Sequence, residues 1–420
     1  MQIRQNKNGM RLLHEYQNDS KIFTIRICAM VGSNNERDDE WGIAHLLEHM
    51  TFKSTKNQTT RQISETMDML GGHFNAYTTN EFTVYYITTT TDNAKMAIEC
   101  LSDIFVNTEY NEEEFAKEKE VVCSEIKMYE DDYPYICQSN MTSNIFCGTP
   151  VEHPLAGTVE SVSSFDIDKL RQFKLRNYTP GRILVSTAGG IDIDSIYPIV
   201  DEFLFSKYSD IQEPKKYVKP QSICSPKQQL VFESKDTGQF YCAISMPGYN
   251  VSAEDNSVES ILDILLGGCM SSRLFVGVRE EKGLVYHISC SARKFSEYGA
   301  NYIFFICNKD KAEETLFTVR QILDVAKKDG FTEEELEKAK LICINGLILS
   351  RETLSDVANL NLNYYIYHDK LKTLDERIES IKSITLEQVN NRMRENLDYN
   401  KFTFSIVSDE NNVTPQKFFE

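Results

Sequence analysis

The sequence predicts an α+β protein made of two duplicated domains, each an antiparallel or mixed sheet flanked by helices. Three observations carry that expectation. The chain has 420 residues, too many for one ordinary core. Its apolar periodicity switches repeatedly between two, the period of a strand, and 3.6, the period of a helix. The order of elements then restarts after a stretch rich in proline and lysine, "SKYSDIQEPKKYVKPQSICSPK", which marks a domain boundary near residues 207 to 227. The expected division is therefore 1–207, a linker at 208–227, and 228–420.

Taken in order, residues 10–14 and 23–31 alternate apolar and polar side chains and predict strands. Trp41 to Thr51 predicts a helix, and Thr60 to Leu70 a second one that stops at Gly71 and Gly72. "HFNAYTTNEFTVYYITTTT" is rich in Thr, Tyr and Val and turns at Asn80 and Glu81, a hairpin pattern. Helical spacing covers 93–106, 111–130, 133–146 and 163–177; "RILVSTAGG" predicts a strand and 192–205 a helix. Beyond the boundary, "QQLVFES" and "QFYCAISM" predict strands, 256–267 and "SSRLFVGVREEKG" helices, and 284–293 and 300–307 strands. Helices are expected over 310–329, 332–351, 355–370 and 385–396, and "KFTFSIV" as a final strand. Each half runs strand pair, helix, helix, strand pair, helices, which is a weak internal repeat.

Composition narrows the function. Hydrophobic residues make up 41% and charged residues 26%, the balance of a soluble globular protein. A net charge of −18 argues against a nucleic-acid surface and suits a basic peptide substrate through long-range steering. The eleven cysteines, from Cys28 to Cys343, include no C-x-x-C pair and form no evident disulfide framework, which points to a reducing, cytoplasmic setting. "MQIRQNKNGMRLL" lacks the apolar core of a signal peptide, and no apolar run is long enough to span a membrane.

The chemistry centres on "HLLEHM", residues 45 to 50. On a helix, His45 and His49 lie one turn apart on the same face, and Glu48 reaches the same point in space. Two imidazoles and a carboxylate suit Zn²⁺, and the order is that of the H-x-x-E-H catalytic motif. A catalytic zinc takes three protein ligands and a water, so a third ligand must come from elsewhere. The helix "EEEFAKEKEVVCSEIKMYEDD" offers Glu118 and Glu125, seven apart and on one face, with Val121 and Val122 flanking it. Spacing alone does not choose between the two carboxylates.

Four blocks, "HLLEHMTFKST", "GGHFNAYT", "EKEVVCSEIKMYEDD" and "GGCMSSRLFVGVREEKGLVY", together resemble the pitrilysin family of zinc metallopeptidases. More narrowly, they resemble the branch that contains mitochondrial processing peptidase and its bacterial relatives. The resemblance implies a two-domain processing-peptidase fold over nearly the whole chain. It implies Glu125 as third ligand, since 75 residues separate it from His49, the family gap. Glu118 is then the acid that supports the ligands, and Glu48 the general base. Asn75 and Ala76 match the positions that hold the substrate main chain, and Arg279 and Tyr286 match a pair that reaches the substrate from the second domain. The departures are Lys119 in place of Arg, Ser124 in place of an acid, and Cys269 in place of a third glycine in "LGGCMSS". The implied function is a zinc endopeptidase of the leader- or precursor-processing type, with Zn²⁺ as cofactor and short or unfolded peptides as substrate. Because one chain carries both the zinc motif and the Arg/Tyr pair, a homodimer is expected in which two chains complete each other's sites. The alternatives are the active subunit of a heterodimer and a non-catalytic scaffold. No nucleic-acid or membrane partner is expected.

Overall fold

The computed structural model describes residues 1–208, 226–251, 256–409 and 413–419. Nearly all of the expected linker lies outside them. Eleven strands are described: β1 (Gln2–Gln5), β2 (Arg11–Tyr16), β3 (Ile22–Ala29), β4 (His73–Thr78), β5 (Thr83–Thr90), β6 (Ile183–Gly189), β7 (Leu230–Ser234), β8 (Gln239–Pro247), β9 (Val285–Lys294), β10 (Gly299–Asn308) and β11 (Thr403–Ser408). They form a six-stranded sheet ordered β1-β2-β6-β3-β5-β4 and a five-stranded sheet ordered β7-β11-β8-β10-β9. Both are mixed. β2 and β6 are parallel, as are β7 and β11, and the other pairs are antiparallel.

Apart from the extra edge strand β1, the second sheet repeats the first strand for strand, so the expected duplication is present in the topology. The repeat extends to the sequence of one helix in each half. Glu112–Tyr129 and Glu333–Leu349 both open on three glutamates followed by an apolar residue, Phe115 in one and Leu336 in the other. In that alignment Glu118 corresponds to Ala339 and Glu125 to Gly346.

The chain folds into two compact units that do not follow a single cut. The first is built of Met1–Met128, the described part of His153–Pro220, and Ser350–Leu371; the second takes Tyr129–Glu152, the described part of Gln221–Leu349, and the described part of Lys372–Glu420. This departs from the expected 1–207 and 228–420. Helix Tyr133–Ile145 buries Ile136, Cys137 and Met141 with Tyr241, Ala243 and Val407 of the second sheet. Helix Leu354–His368 buries Leu362 and Tyr365 with Leu13, Cys28 and Leu184 of the first. The reason is that each sheet is apolar on both faces. Strand β6 is buried at all seven residues, and a sheet with two apolar faces needs a helix layer on each. On its other face the first sheet packs Phe23, Ile25, Ile27, Tyr85 and Ile87 against Leu46, Leu47 and Met50 of helix Ile43–Thr51.

Some expected elements change form. The helix expected at 163–177 is two, Val159–Ser164 and Ile167–Asn177, because Asp166 caps the second through the Lys169 N–H at 2.7 Å. The helices expected at 256–267 and in "SSRLFVGVREEKG" widen to π turns over Ile264–Gly268 and Phe275–Glu280. Strand β1 and helix Leu374–Lys382 were not expected.

Candidate zinc centre

Helix Ile43–Thr51 presents two chemically distinct faces. Ile43, Ala44, Leu46, Leu47 and Met50 face the core, and the 3.6-residue period turns His45, Glu48 and His49 the other way. Its start is held from a distance. Gly42, the N-cap, has φ +93° and no side chain to offer, and a Cβ there would lie 2.4 Å from the Ala156 carbonyl oxygen. The cap comes from Glu36, whose carboxylate accepts the N–H groups of Gly42 at 3.0 Å and Ala44 at 2.9 Å. Burial pushes the Glu36 carboxyl well above the usual range. Nearby, Glu40 accepts Arg176 in two bonds of 3.0 and 2.6 Å.

Helix Glu112–Tyr129 supplies the second wall. Phe115, Val122 and Ile126 anchor it in the core, and Glu118 and Glu125 share the edge of that buried face. Val122 is fully buried, whereas Val121, expected to flank the buried face, is 49% exposed. Lys119 donates to the carbonyls of Ser163 at 3.0 Å and Phe165 at 2.9 Å, tying the helix to the break between Val159–Ser164 and Ile167–Asn177.

These two helices bring three ligand atoms together. Glu125 Oε2 lies 3.9 Å from His45 Nε2 and 3.6 Å from His49 Nε2. Among the described residues, His45, His49 and Glu125 form the one cluster of this kind, with ligand atoms within 4.8 Å of one another. Ligands about 2.0–2.1 Å from a tetrahedral zinc stand roughly 3.4 Å apart, close to the 3.6 and 3.9 Å that separate the carboxylate oxygen from the two imidazole nitrogens. Two neutral nitrogens and one carboxylate oxygen match the donor chemistry of a catalytic zinc.

The surroundings set the protons. Glu118 Oε2 lies 3.2 Å from His49 Nδ1, and its Oε1 accepts Lys53 Nζ at 2.6 Å. A carboxylate there requires the proton on Nδ1, which leaves the Nε2 lone pair for the metal. Burial disfavours charge on His49, but Glu118, Glu48 and Glu125 outweigh it and raise its pKa. Burial lowers His45 to about 4, and His49 beside it works in the same direction. Burial acts to raise Glu118, yet His49 and Lys53 hold it below the usual carboxylate range. Glu48 is raised by burial. Its Oε2 accepts the Thr78 hydroxyl at 2.6 Å.

Thr78 belongs to β4, the edge of the first sheet. On the same strand, the Ala76 N–H donates to the Oδ1 of Asn75 at 2.8 Å, and Asn75 is exposed. The structure therefore joins His45, His49, Glu125, Glu118 and Glu48 in one cluster and puts Asn75 and Ala76 on the strand that holds Glu48. Arg279 and Tyr286 lie in the second unit. There the Arg279 guanidinium stands 5.8 Å from the Tyr286 ring, and Tyr286 is 77% exposed. Sequence reasoning missed Thr78, the last residue of "HFNAYT", and Glu36, six residues before Gly42. Neither carries a local signal, because each acts across a fold contact.

Two histidines and a glutamate on two helices, beside the half-buried carboxylate of Glu48, present the donor set of a zinc centre with the inverted motif. Comparison with known proteins makes this specific. Residues 11–159 match the family model Insulinase (Peptidase family M16), and residues 164–343 match Peptidase M16 inactive domain. The chain is 32% identical to the uncharacterized zinc protease YmxG of Bacillus subtilis over 97% of its own length and 98% of the relative's. It is 29% identical to the zinc protease Mb2805c of Mycobacterium bovis over 91% and 87%. Among solved structures, a peptidase M16 inactive domain from Pseudomonas fluorescens superposes with a TM-score of 0.89 at 18% identity, covering 99% of both chains. A protease from Helicobacter pylori gives 0.87 at 21%, covering 97% and 99%. The chain belongs to peptidase family M16, the insulinase or pitrilysin family of zinc metallopeptidases, and its metal is zinc. No described helix is long and apolar enough to cross a membrane.

Proposed function

We propose that the protein is an endopeptidase of the leader- or precursor-processing type that cuts short or unfolded peptides at the zinc centre. The observation that supports this most is the convergence of His45, His49 and Glu125 beside Glu48, next to the open edge of β4. A peptide adds to β4 as a further strand through main-chain hydrogen bonds, and Asn75 gives up the Ala76 N–H to it. Zinc, when bound, supplies a Lewis acid that acidifies a water and polarises the scissile carbonyl. Glu48 takes the proton of the attacking water and later delivers a proton to the leaving amine. Glu118 keeps the His49 ring in the tautomer that exposes Nε2. A substrate that must be extended along β4 cannot be a folded domain.

The second unit has no glutamates at the ligand positions, and its Tyr286 is exposed. The proposal is a homodimer in which Arg279 and Tyr286 of one chain complete the zinc site of its partner, Tyr286 stabilising the oxyanion and Arg279 the substrate backbone. The described cysteines are all free thiols, which suits a reducing cytoplasm. Two experiments test the reading. Mass spectrometry of a library of internally quenched peptides should show metal-dependent internal cleavage, abolished by chelator and restored by Zn²⁺, with stable folded proteins left intact. Efficient digestion of a folded protein would contradict it. His45→Ala mixed with Arg279→Ala/Tyr286→Ala should recover up to about a quarter of wild-type activity on subunit exchange. No recovery despite verified mixed dimers would overturn the shared site.

A further inference from the structure

Thr78 has not been given a role, and its surroundings define one. Its hydroxyl carries one proton and has two neighbours of interest. Thr83 Oγ1 lies 3.5 Å away, at the outer limit of a hydrogen bond, and its own proton goes to the Val31 carbonyl at 2.9 Å. The much nearer and more strongly accepting group for the Thr78 proton is Glu48 Oε2 at 2.6 Å, a charge-assisted bond of the short kind. Glu48 has three rotatable bonds before its carboxylate, and a free glutamate of this kind spreads over many rotamers. Here one oxygen is tied to a rigid strand paired along its length with β5, and the other is left to act.

The zinc-free unit supplies a comparison within the same chain. Helices Ala94–Val106 and Ala312–Asp329 follow the corresponding strands β5 and β10. Counted back from Ala94 and Ala312, Thr83 corresponds to Asn301. Thr83 pairs with Thr78 on the edge strand, and Asn301 pairs with Ala292. The half that lacks both glutamates of the carboxylate helix also lacks the threonine.

We infer that Thr78 is a positioning residue for the reaction: its hydroxyl, carried on the strand to which the peptide adds, fixes the Glu48 carboxylate so that one oxygen is held and the other meets the reacting water. The inference rests on the reading of Glu48 as general base. It also links substrate docking to proton transfer, because the strand two residues from Ala76 is the one that aims the base.

The test uses Thr78→Val, which keeps the shape and removes the hydroxyl, Thr78→Ala as a second variant, and Thr78→Ser as the conservative one. All are assayed as full-length zinc-loaded protein on an internally quenched peptide that the wild type cuts. Misplacing a catalytic group by about 1 Å lowers the rate by about 100-fold, so kcat should fall about 10- to 100-fold in Thr78→Val and Thr78→Ala. KM should stay within about threefold and zinc affinity within about twofold, and Thr78→Ser should recover most of kcat. Because Thr78 acts through Glu48, the double variant Glu48→Gln/Thr78→Val should be no slower than Glu48→Gln alone. Wild-type kcat in folded Thr78→Val and Thr78→Ala, with Glu48→Gln inactive, would overturn this inference alone. So would a loss seen in KM or zinc affinity instead of kcat, failure of Thr78→Ser to rescue, or additive losses in the double variant. Full turnover by Glu48→Gln would instead overturn the general-base reading on which it rests.

Discussion

Glu118→Gln separates the support of the zinc site from its ligands. The side chain keeps its length and one acceptor oxygen but loses its charge. In the native site that charge faces two cationic or proton-donating partners, His49 Nδ1 at 3.2 Å and Lys53 Nζ at 2.6 Å. A hydrogen bond to a charged group contributes about 1.5–3 kcal/mol net. The amide can still accept from Nδ1, so part of the bond survives, and the loss of ligand orientation amounts to about 1.4–2.7 kcal/mol. That corresponds to about 10- to 100-fold in metal affinity, the range found when a group behind a metal-bound histidine is removed. Glu125→Gln removes a ligand charge outright and should cost more. The assay is competition of each purified variant with a calibrated chelator for Zn²⁺, with thermal melting of the metal-free forms as a control on folding. A zinc dissociation constant for Glu118→Gln within about twofold of wild type would refute the reasoning. So would a loss as large as that of Glu125→Gln, which would make Glu118 a ligand.

Two further outcomes follow from buried charge elsewhere. In the second unit Glu259 is fully buried and accepts the Arg392 guanidinium at 2.7 Å and the Tyr249 N–H at 2.7 Å. Arg392→Met leaves that carboxylate with only the more distant Lys294 Nζ at 3.8 Å as a cation and should destabilise the fold by about 3 kcal/mol, read by denaturant unfolding. Burial lowers the pKa of His14 from 6.5 to about 4. The unfolded chain therefore binds a proton between those values that the folded chain does not. Stability should fall as pH drops from 6.5 towards 4, by on the order of 3 kcal/mol for this group, and His14→Gln should flatten that part of the stability profile.

The zinc-binding half of the site was legible because it is local. His45, Glu48 and His49 sit within one turn and a half of one helix, so their spacing alone states their convergence. The third ligand was not legible from spacing. Glu118 and Glu125 share a face, and only the family gap pointed to Glu125; in the fold, Glu125 approaches both Nε2 atoms while Glu118 meets Nδ1 of His49. Thr78 and Glu36 were invisible for a different reason. Their partners, Glu48 and the N–H groups of Gly42 and Ala44, are reached through a strand edge and a loop. The element order and the duplication could be read along the chain, because strand and helix periods differ. The trade of Tyr133–Ile145 and Leu354–His368 between units could not, since either helix would satisfy its periodicity on either sheet. Which sheet each covers depends on the second apolar face of β6, β8 and β11, a property of two-sided burial that no single segment reveals.

The account turns on Glu48 acting on protons rather than on the metal. The most direct measurement is the pair of values, zinc content and kcat, for Glu48→Gln on an internally quenched peptide cut by the wild type. The account expects one zinc per chain, as in the wild type, with kcat reduced by about 100-fold or more. Loss of the zinc would make Glu48 a ligand, and near-normal turnover with zinc in place would take the general base away from it.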